Sequence, residues 1–246
     1  MGYHESLTEG RNAVLEAFRS GKTVDRLFVL DGCQDGPVKT ILREAKKQDT
    51  MVQYVKKERL DQLSETKNHQ GVIAYCAACE YAEVSDILEN AKKKGEAPFI
   101  VLLDGIEDPH NLGAIIRTAN QAGAHGVIIP KRRAVGLTAT VARTSAGAVN
   151  YTPVAKVTNL VTVMEDLKKE GMWFVCADMD GEEMYSLNLK GPIGLVIGNE
   201  GEGVSRLVKE HCDMVASIPM KGDIDSLNAS VARGVLAYEI VRQRRF

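Results

Sequence analysis

Three segments of the sequence share one arrangement: an apolar run, then a polar or glycine-rich loop, then a helical pattern. The loops are residues 104–113, 198–203 and 220–230, after apolar runs at 99–103, 193–197 and 214–218. In parallel α/β sheets, ligands bind beyond the carboxyl ends of the strands. Glycine lets a ligand approach the backbone, and Asn, Ser, Glu and Arg supply hydrogen bonds. The three loops therefore predict one binding crevice, without naming its ligand.

Two of these loops lead into helices that carry candidate polar residues. Asn111 is the predicted N-cap of the first helix, because its side chain can accept a bond from a free backbone N–H. Arg117 lies six residues further on and can reach back toward the helix start, although a surface ion pair is an alternative role. Ser226, Asn228 and Ser230 stand at the mouth of the last helix, where Ser226 alone is typical of an N-cap.

The loop at residues 198–203 reads Gly-Asn-Glu-Gly-Glu-Gly. Its spacing is GxxGxG, whereas a dinucleotide-binding loop has the spacing GxGxxG and usually opens the fold. Taken alone, the loop fits a ligand site and a tight turn equally well. A nucleotide- or dinucleotide-dependent α/β enzyme, which would hold a pyrophosphate here, is disfavoured by this spacing and by the late position of the loop.

Composition limits the classes of protein that the chain can belong to. Of its 246 residues, 44% are hydrophobic and 26% charged, which is typical of a globular protein. The net charge of −2 argues against binding nucleic acid by overall charge alone. Short basic runs at 131–133 and 242–245 are consistent with solvated faces or with a local patch. An aromatic content of 5% argues against a wide base-stacking platform.

The five cysteines predict neither a disulfide framework nor a metal site. Their number is odd, and Cys76 and Cys79 have CxxC spacing without a second pair to complete a zinc site. We therefore expect reduced, small apolar residues and no metal. The N-terminus lacks the pattern of a signal peptide, and no apolar run approaches the length of a membrane span. These features predict a cytoplasmic protein.

The order of helical and strand patterns predicts two α/β domains. Residues 1–80 form a small α/β unit, and the charged segment 81–97 is predicted as a linker. From residue 98 to 246, apolar strands alternate with helices, which is typical of a parallel sheet covered on both faces.

The loop residues resemble the three motifs of the SpoU (TrmH) RNA methyltransferases. The first motif corresponds to residues 111–113 (Asn-Leu-Gly) and 117–119 (Arg-Thr-Ala), and the second to residues 197–203 (Ile-Gly-Asn-Glu-Gly-Glu-Gly). The third corresponds to residues 218–220 (Ile-Pro-Met) and 226–232 (Ser-Leu-Asn-Ala-Ser-Val-Ala). All three occur in the family's order, at compatible spacing, and together span most of residues 99–246.

Further segments resemble the branch of this family that methylates guanosine ribose in bacterial 23S rRNA. They are residues 10–14, 68–71 and 131–137. The resemblance implies a ribosomal-protein-like RNA-binding domain over residues 1–80. It also implies a SPOUT methyltransferase domain with a C-terminal trefoil knot, and a homodimer formed through that domain. The implied substrate is 23S rRNA, and neither DNA nor a membrane is an expected partner.

The resemblance also implies the cofactor and the roles of the motif residues. S-Adenosyl-L-methionine (SAM) is the implied cofactor, held by Gly198, Asn199, Gly203, Ile218, Met220 and Leu227. Arg117 is the implied catalytic residue. The residues implied to shape the site and the RNA contacts are Asn111, Glu200, Ser226 and Asn228, although Glu200 could instead order its own loop.

Two other functions stay open at this stage. A ribose methyltransferase acting on tRNA or on another rRNA site would carry the same three motifs, and the N-terminal segments disfavour it. A non-catalytic RNA-binding or ribosome-assembly protein on the same scaffold would be favoured by degraded motifs. Asn111, Arg117 and the third motif are all intact in this sequence.

Overall fold

The computed structural model describes residues 6–199, 201–222, 227 and 229–246. The chain divides into two compact units. One contains the residues up to 80 together with 136–140, and the other contains residues 81–135 and 141–246. In the described ranges, no helix is both long enough and apolar enough to span a membrane.

The N-terminal unit is a four-stranded mixed sheet with helices. Its elements are β1 (Ser6–Glu9), α1 (Arg11–Arg19), β2 (Val24–Leu30), α2 (Gly36–Lys47), β3 (Met51–Val55), α3 (Lys57–Leu63) and β4 (Val72–Cys76). The strand order is β1-β4-β2-β3, with β2 and β3 parallel and β4 antiparallel to both of its neighbours. Asp35 caps α2 by accepting a bond from the Val38 amide at 3.2 Å, and Val38 and Ile41 on that helix are fully buried.

The second unit is a six-stranded sheet in which every neighbouring pair of strands is parallel. Its strand order is β10-β8-β9-β5-β6-β7. Its elements are α4 (Val84–Lys94), β5 (Phe99–Leu103), α5 (Pro109–Gln121), β6 (Gly126–Pro130), most of α6 (Ala139–Thr144), a 3-10 turn (Ala148–Asn150), β7 (Val154–Val157), α7 (Leu160–Lys169), β8 (Trp173–Glu183), β9 (Ile193–Ile197), α8 (Arg206–Glu210), β10 (Met214–Ser217) and α9 (Ala229–Arg245). The parallel sheet predicted from the sequence is confirmed.

Helices cover both faces of the central strands, which explains their uninterrupted apolar sequences. Every residue of β5 and of β9 is buried. On one face, Ile100 and Leu102 pack in a core with residues of α4, α7 and α8. On the other face, Val101 lies beside α5 and α9. A strand enclosed in this way needs apolar side chains at every position rather than at alternate ones.

Several boundaries differ from those predicted by the apolar pattern. The pattern misses β1 and β7, two edge strands of only four residues each. The apolar run that begins β8 ends at Ala177, whereas the strand continues to Glu183 through polar residues. The pairing of β10 with β8 jumps there from Cys176 to Glu182. An irregular, largely exposed strand of this kind carries no alternation of apolar and polar residues for a pattern to detect.

The segment 81–97, predicted as a linker, contributes to the core of the second unit. Its helix α4 begins with a capping box between Glu83 and Asp86, and buries Ile87 and Ala91. The Ile87 side chain lies directly over β6, where a Cβ atom on Gly126 would come within 2.5 Å of it. Ala82 forms a parallel bridge with Ala155 of the edge strand β7. The charged residues of this segment face solvent, and their number hides the narrow apolar stripe.

The trefoil knot implied by the family resemblance stays a prediction. Its C-terminal segment would include residues 223–226 and 228, which lie outside the described residues.

Gly126→Ala tests the packing of α4 on the sheet. The added methyl group has to displace Ile87, which is fully buried, so we expect a loss of about 1–3 kcal/mol in the free energy of unfolding. Gly191→Ala is the matched control, because nothing lies within 4 Å of a Cβ atom at that position. Urea unfolding followed by circular dichroism measures both. Equal stability of the two variants would contradict the packing described for α4.

Candidate functional site

The loops after β5 and β9 lie side by side at the carboxyl edge of the sheet, because the two strands are neighbours. Leu103 pairs with Ile197 at the ends of these strands, and the Asp104 amide donates to the Ile197 carbonyl at 2.8 Å. Two side chains extend the connection beyond the sheet. Asn199 Nδ2 donates to the Gly105 carbonyl at 2.8 Å, and Asp104 Oδ2 accepts a bond from the Ser205 amide at 2.7 Å. The loops that follow β5 and β9 are thus held together by hydrogen bonds.

The glycine-rich loop closes on itself as a tight turn. Asn199 and Gly203 exchange two backbone hydrogen bonds of 2.9 Å each, and Asn199 Oδ1 accepts the Gly201 amide at 2.8 Å. A Cβ atom on Gly198 would lie only 2.0 Å from the Gly203 carbonyl carbon. Gly203 has φ +70°, a conformation that glycine adopts readily. The turn alone therefore accounts for Gly198 and Gly203, and their ligand roles stay predictions.

Helix α5 begins earlier than the sequence suggests, and the prediction that Asn111 caps it is wrong. The N-cap is Asp108, whose Oδ1 accepts the Asn111 amide at 2.8 Å, and Pro109 is the first helical residue. Asp-Pro is a recognised start signal, since proline suits the first turn and aspartate suits the cap. Asn111 is thus the third residue of α5, with a half-buried side chain. Its side chain is not used for capping.

Leu112 and Gly113, which follow Asn111 in the first motif, have packing roles. Leu112 is fully buried. A Cβ atom on Gly113 would overlap the Thr144 side chain, with Oγ1 only 1.9 Å away. The absence of a side chain at Gly113 lets the segment around Thr144 lie directly against α5. This close contact fixes the start of α5 relative to α6.

Arg117 lies on the exposed side of α5. In the part of the chain that the structure describes, no hydrogen bond or ion pair is formed by its guanidinium. The surface ion pair considered as an alternative is therefore not seen among the described residues. The guanidinium is available to bind an anionic group.

Helix α9, which follows the third motif, is connected to the second motif through Arg233. This arginine is 5% exposed and donates from NH2 to the Gly198 carbonyl at 2.8 Å. α9 packs beside α5, where Gly234 lies near Thr118. A small cavity of about 110 Å³ separates the two helices from the sheet, and Arg233 and Thr118 are among its lining residues. Sequence inspection misses Arg233, although an arginine within the apolar start of a long helix is a signal for a specific contact.

The third loop leaves apolar side chains exposed at the same edge of the sheet. Ile218 is half-buried, and Met220 and Leu227 are 37% and 39% exposed. Strand β8 separates β10, which precedes this loop, from β9. Three predicted site residues, Glu200, Ser226 and Asn228, lie outside the described residues.

The extended part of β8 carries Asp178, which forms an ion pair with a lysine that follows the glycine-rich loop. Lys209, on the helix after that loop, hydrogen bonds to Asp178. This bond holds the pKa of Asp178 below its ordinary value and raises the pKa of Lys209. Both side chains are about one-third exposed, so the pair mainly orients α8 rather than adding much stability. Metal binding has no support among the described residues, where no cluster of three His, Cys, Asp or Glu is found.

Replacing Asn199 tests how the two loops are connected. Asn199→Ala removes the bonds to Gly105 and Gly201, and should weaken the turn by about 1 kcal/mol for each bond lost. Asn199→Asp is the matched variant, because it keeps an acceptor for the Gly201 amide but loses the donor to Gly105. We expect faster hydrogen exchange at Gly201 in the alanine variant than in the aspartate variant. Identical exchange in both variants would show that the side chain does not hold the turn.

Two family matches cover most of the chain. Residues 98–238 match the SpoU rRNA Methylase family, and residues 7–82 match the family described as RNA 2′-O ribose methyltransferase substrate binding. Together they include both units and all three motifs.

Individual relatives match over nearly the whole length. YacO of Bacillus subtilis (strain 168), assigned to the TrmH family of tRNA/rRNA methyltransferases, is 49% identical over 96% of this chain and 94% of its own. Among solved structures, the SpoU methyltransferase AviRb from Streptomyces viridochromogenes, in complex with AdoMet, is 27% identical with a TM-score of 0.61, covering 98% of this chain and 91% of its own.

An AdoMet-bound rRNA methyltransferase from Sinorhizobium meliloti is 25% identical with a TM-score of 0.59 and covers 97% of this chain and 87% of its own. These matches agree with the motif loops and with the parallel sheet. The chain belongs to the SpoU (TrmH) family of RNA methyltransferases.

Proposed function

We propose that this protein transfers the methyl group of SAM to the 2′-hydroxyl of a guanosine in 23S rRNA. Family membership supports RNA methyl transfer. The observation that carries the proposal is the connection of the loops after β5 and β9 and of helix α9 at one edge of the parallel sheet, through Asn199, Asp104 and Arg233. The similarity to an rRNA methyltransferase over 97% of the chain supports rRNA as the substrate class.

The described residues fit SAM as the cofactor. SAM supplies an electrophilic methyl group on a sulfonium that becomes neutral as the methyl group leaves. Gly198, Asn199 and Gly203 form the turn at the end of β9; the backbone groups of Asn199 and Gly203 bond to each other, so we propose that the turn holds SAM through close approach of its backbone. Met220 and Leu227, which follow β10, each expose more than a third of their surface, and a purine ring would cover such an apolar area favourably. Ile218 completes the set of residues that we expect to hold the cofactor.

Arg117 is the residue that we propose for catalysis. Arginine keeps its proton at neutral pH in proteins, so it is a poor general base. Its planar group can instead bind the phosphate of the target nucleotide and stabilise the negative charge that develops on the 2′-oxygen. The proton would then leave to phosphate or water. We propose that Asn111, Glu200, Ser226 and Asn228 shape the site and contact the RNA.

RNA is favoured over DNA because the 2′-hydroxyl is itself the reacting group. Through Ala82 the chain contains 12 basic and 12 acidic residues, so an RNA-binding face on the N-terminal unit would have to concentrate its cations. Cytoplasmic location is part of the proposal and follows from this substrate. A homodimer through the second unit is supported by Val231 and Tyr238, which are seven residues apart on α9 and half exposed.

Substitution of Arg117 tests its role. Because the side chain is exposed and forms no hydrogen bond or ion pair with described residues, Arg117→Ala should leave thermal stability unchanged. We expect kcat for methylation to fall by roughly 100-fold or more, with SAM affinity retained. Arg117→Lys should also be impaired, since lysine keeps the charge but loses the fork geometry. Lys169→Ala, at a cation 75% exposed on α7, is the control. Near-normal turnover of Arg117→Lys would argue against a geometric role.

The substrate is tested with labelled SAM and two RNAs, unmodified 23S rRNA and tRNA. We expect ribose methylation at a guanosine of the 23S rRNA, detected by mass spectrometry of the digested RNA, and loss of the signal with Arg117→Ala. Label in tRNA alone would support methyl transfer from SAM to RNA and would show that tRNA, not 23S rRNA, is the substrate. An absence of SAM binding by the purified protein would overturn the proposal as a whole.

A further inference from the structure

A basic loop follows β6 at the same edge of the sheet as the motif loops. It consists of Lys131, Arg132 and Arg133, and β6 lies next to β5 in the sheet. The Val135 amide, two residues past this loop, donates to the Ile106 carbonyl at 3.0 Å. Ile106 belongs to the segment that leads from β5 into α5, the helix of Arg117. The basic loop is therefore bonded to the segment that starts the catalytic helix.

We propose that Arg132 and Arg133 form a phosphate clamp that grips the RNA strand beside the target nucleotide. This inference deepens the proposed function and rests on it, because it takes RNA as the substrate. It assigns substrate positioning to residues outside the three motifs.

The backbone on either side of the two arginines is fixed. On one side, the Lys131 amide donates to the Val157 carbonyl of β7 at 2.8 Å. On the other side, Ala134 is only 9% exposed, and the bond from Val135 follows directly. Arg132 and Arg133 are both exposed between these anchors. Because the loop backbone is already anchored, little backbone freedom is lost when its two cations bind a ligand. This favours a binding role for the two arginines over a purely solvated surface.

The backbone of Arg133 points to the same conclusion. Its φ of +55° lies in the left-handed region, which residues with a side chain adopt at a cost. Glycine would adopt this conformation without strain, yet the chain carries arginine here. Four other non-glycine residues also have a positive φ, so this conformation supports a binding role only together with the exposure of the Arg133 side chain.

The local charge balance fits a polyanion. Although the whole chain has a net charge of −2, residues 109–164 contain six basic residues and no acidic one. The basic residues are Arg117, Lys131, Arg132, Arg133, Arg143 and Lys156. Asp104 and Asp108, which precede this segment, accept backbone hydrogen bonds. Within the described ranges, no ion pair or hydrogen bond is formed by the side chains of Arg132 and Arg133.

Guanidinium geometry favours phosphodiester groups as the ligand. Each planar fork can donate two parallel bonds to a phosphate, and neighbouring arginines can engage neighbouring phosphates of one strand. An RNA strand that delivers a ribose to the motif loops must cross this edge of the sheet. An acidic protein surface is the other polyanion that could bind here, and the experiment separates the two.

The test combines Arg132→Ala with Arg133→Gly in the full-length protein. We expect KM for 23S rRNA to rise about tenfold, while kcat at saturating RNA and the Kd for SAM change by less than about twofold. The slope of log Kd for RNA against log salt should shrink by about 1.4, the value for two phosphate contacts on single-stranded RNA. Arg132→Lys with Arg133→Lys should recover most of the salt slope, because the charges remain.

Two controls separate a binding role from a structural one. Lys93→Ala with Lys169→Ala removes two cations, 71% and 75% exposed, from α4 and α7, and should leave KM unchanged. Arg133→Gly alone should raise the melting temperature while weakening RNA binding, since it relieves the strained φ. If the role of Arg133 were purely structural, Arg133→Gly would lower the melting temperature and raise KM together.

The outcomes keep this inference distinct from the proposed function. Normal methylation of 23S rRNA by the double variant, with unchanged KM and salt slope, would overturn the clamp alone and favour an acidic protein partner. If the unmodified protein methylates tRNA instead, the same loss measured on tRNA supports the clamp. If the unmodified protein methylates no RNA, the proposed function fails. In that case, equal affinity of the unmodified protein and the double variant for an RNA oligonucleotide would also overturn the clamp.

Discussion

The pairing of β5 with β9 is the constraint on which the rest of the site depends. These two central strands are parallel neighbours, so the chain leaves both at the same edge, although nearly a hundred residues separate them. Their ends are joined by bonds from Asn199 to Gly105 and from Ser205 to Asp104. Because every residue of both strands is buried, no alternation of apolar and polar residues sets their register, and a slip would break the bonds that join the loops. Arg233 then brings the last helix to the same point.

Much of the fold could be predicted because its strongest signals are local. The continuous apolar runs of β5 and β9 indicate strands covered on both faces, and the spacing of polar loops after them indicates one edge of a sheet. The motif order at residues 111–119, 197–203 and 218–232 indicated the family. These signals reflect burial and backbone conformation, which act on neighbouring residues and so remain visible in a single sequence.

The remaining features depend on contacts between residues that are distant in the chain. The packing of Ile87 on Gly126 and of Thr144 on Gly113 follows from tertiary placement, so neither glycine reveals its role in the sequence. Arg233 has the same property, because its partner is a carbonyl 35 residues away. Asp108 is a different case. The signal for its capping role is present in the Asp-Pro pair, and Asn111, three residues later, is of an equally common capping type.

The packing of α4 limits where a fragment that contains the second sheet can begin. The match to the methyltransferase family begins at residue 98, after this helix has ended. A fragment cut there would lose Ile87 and Ala91 and uncover the apolar surface of β6, including Ile128, to water. Such a fragment would tend to aggregate, since exposed apolar strands associate with one another. A fragment meant to keep the packing of the second unit therefore has to start near Tyr81, where the contacts of that unit begin.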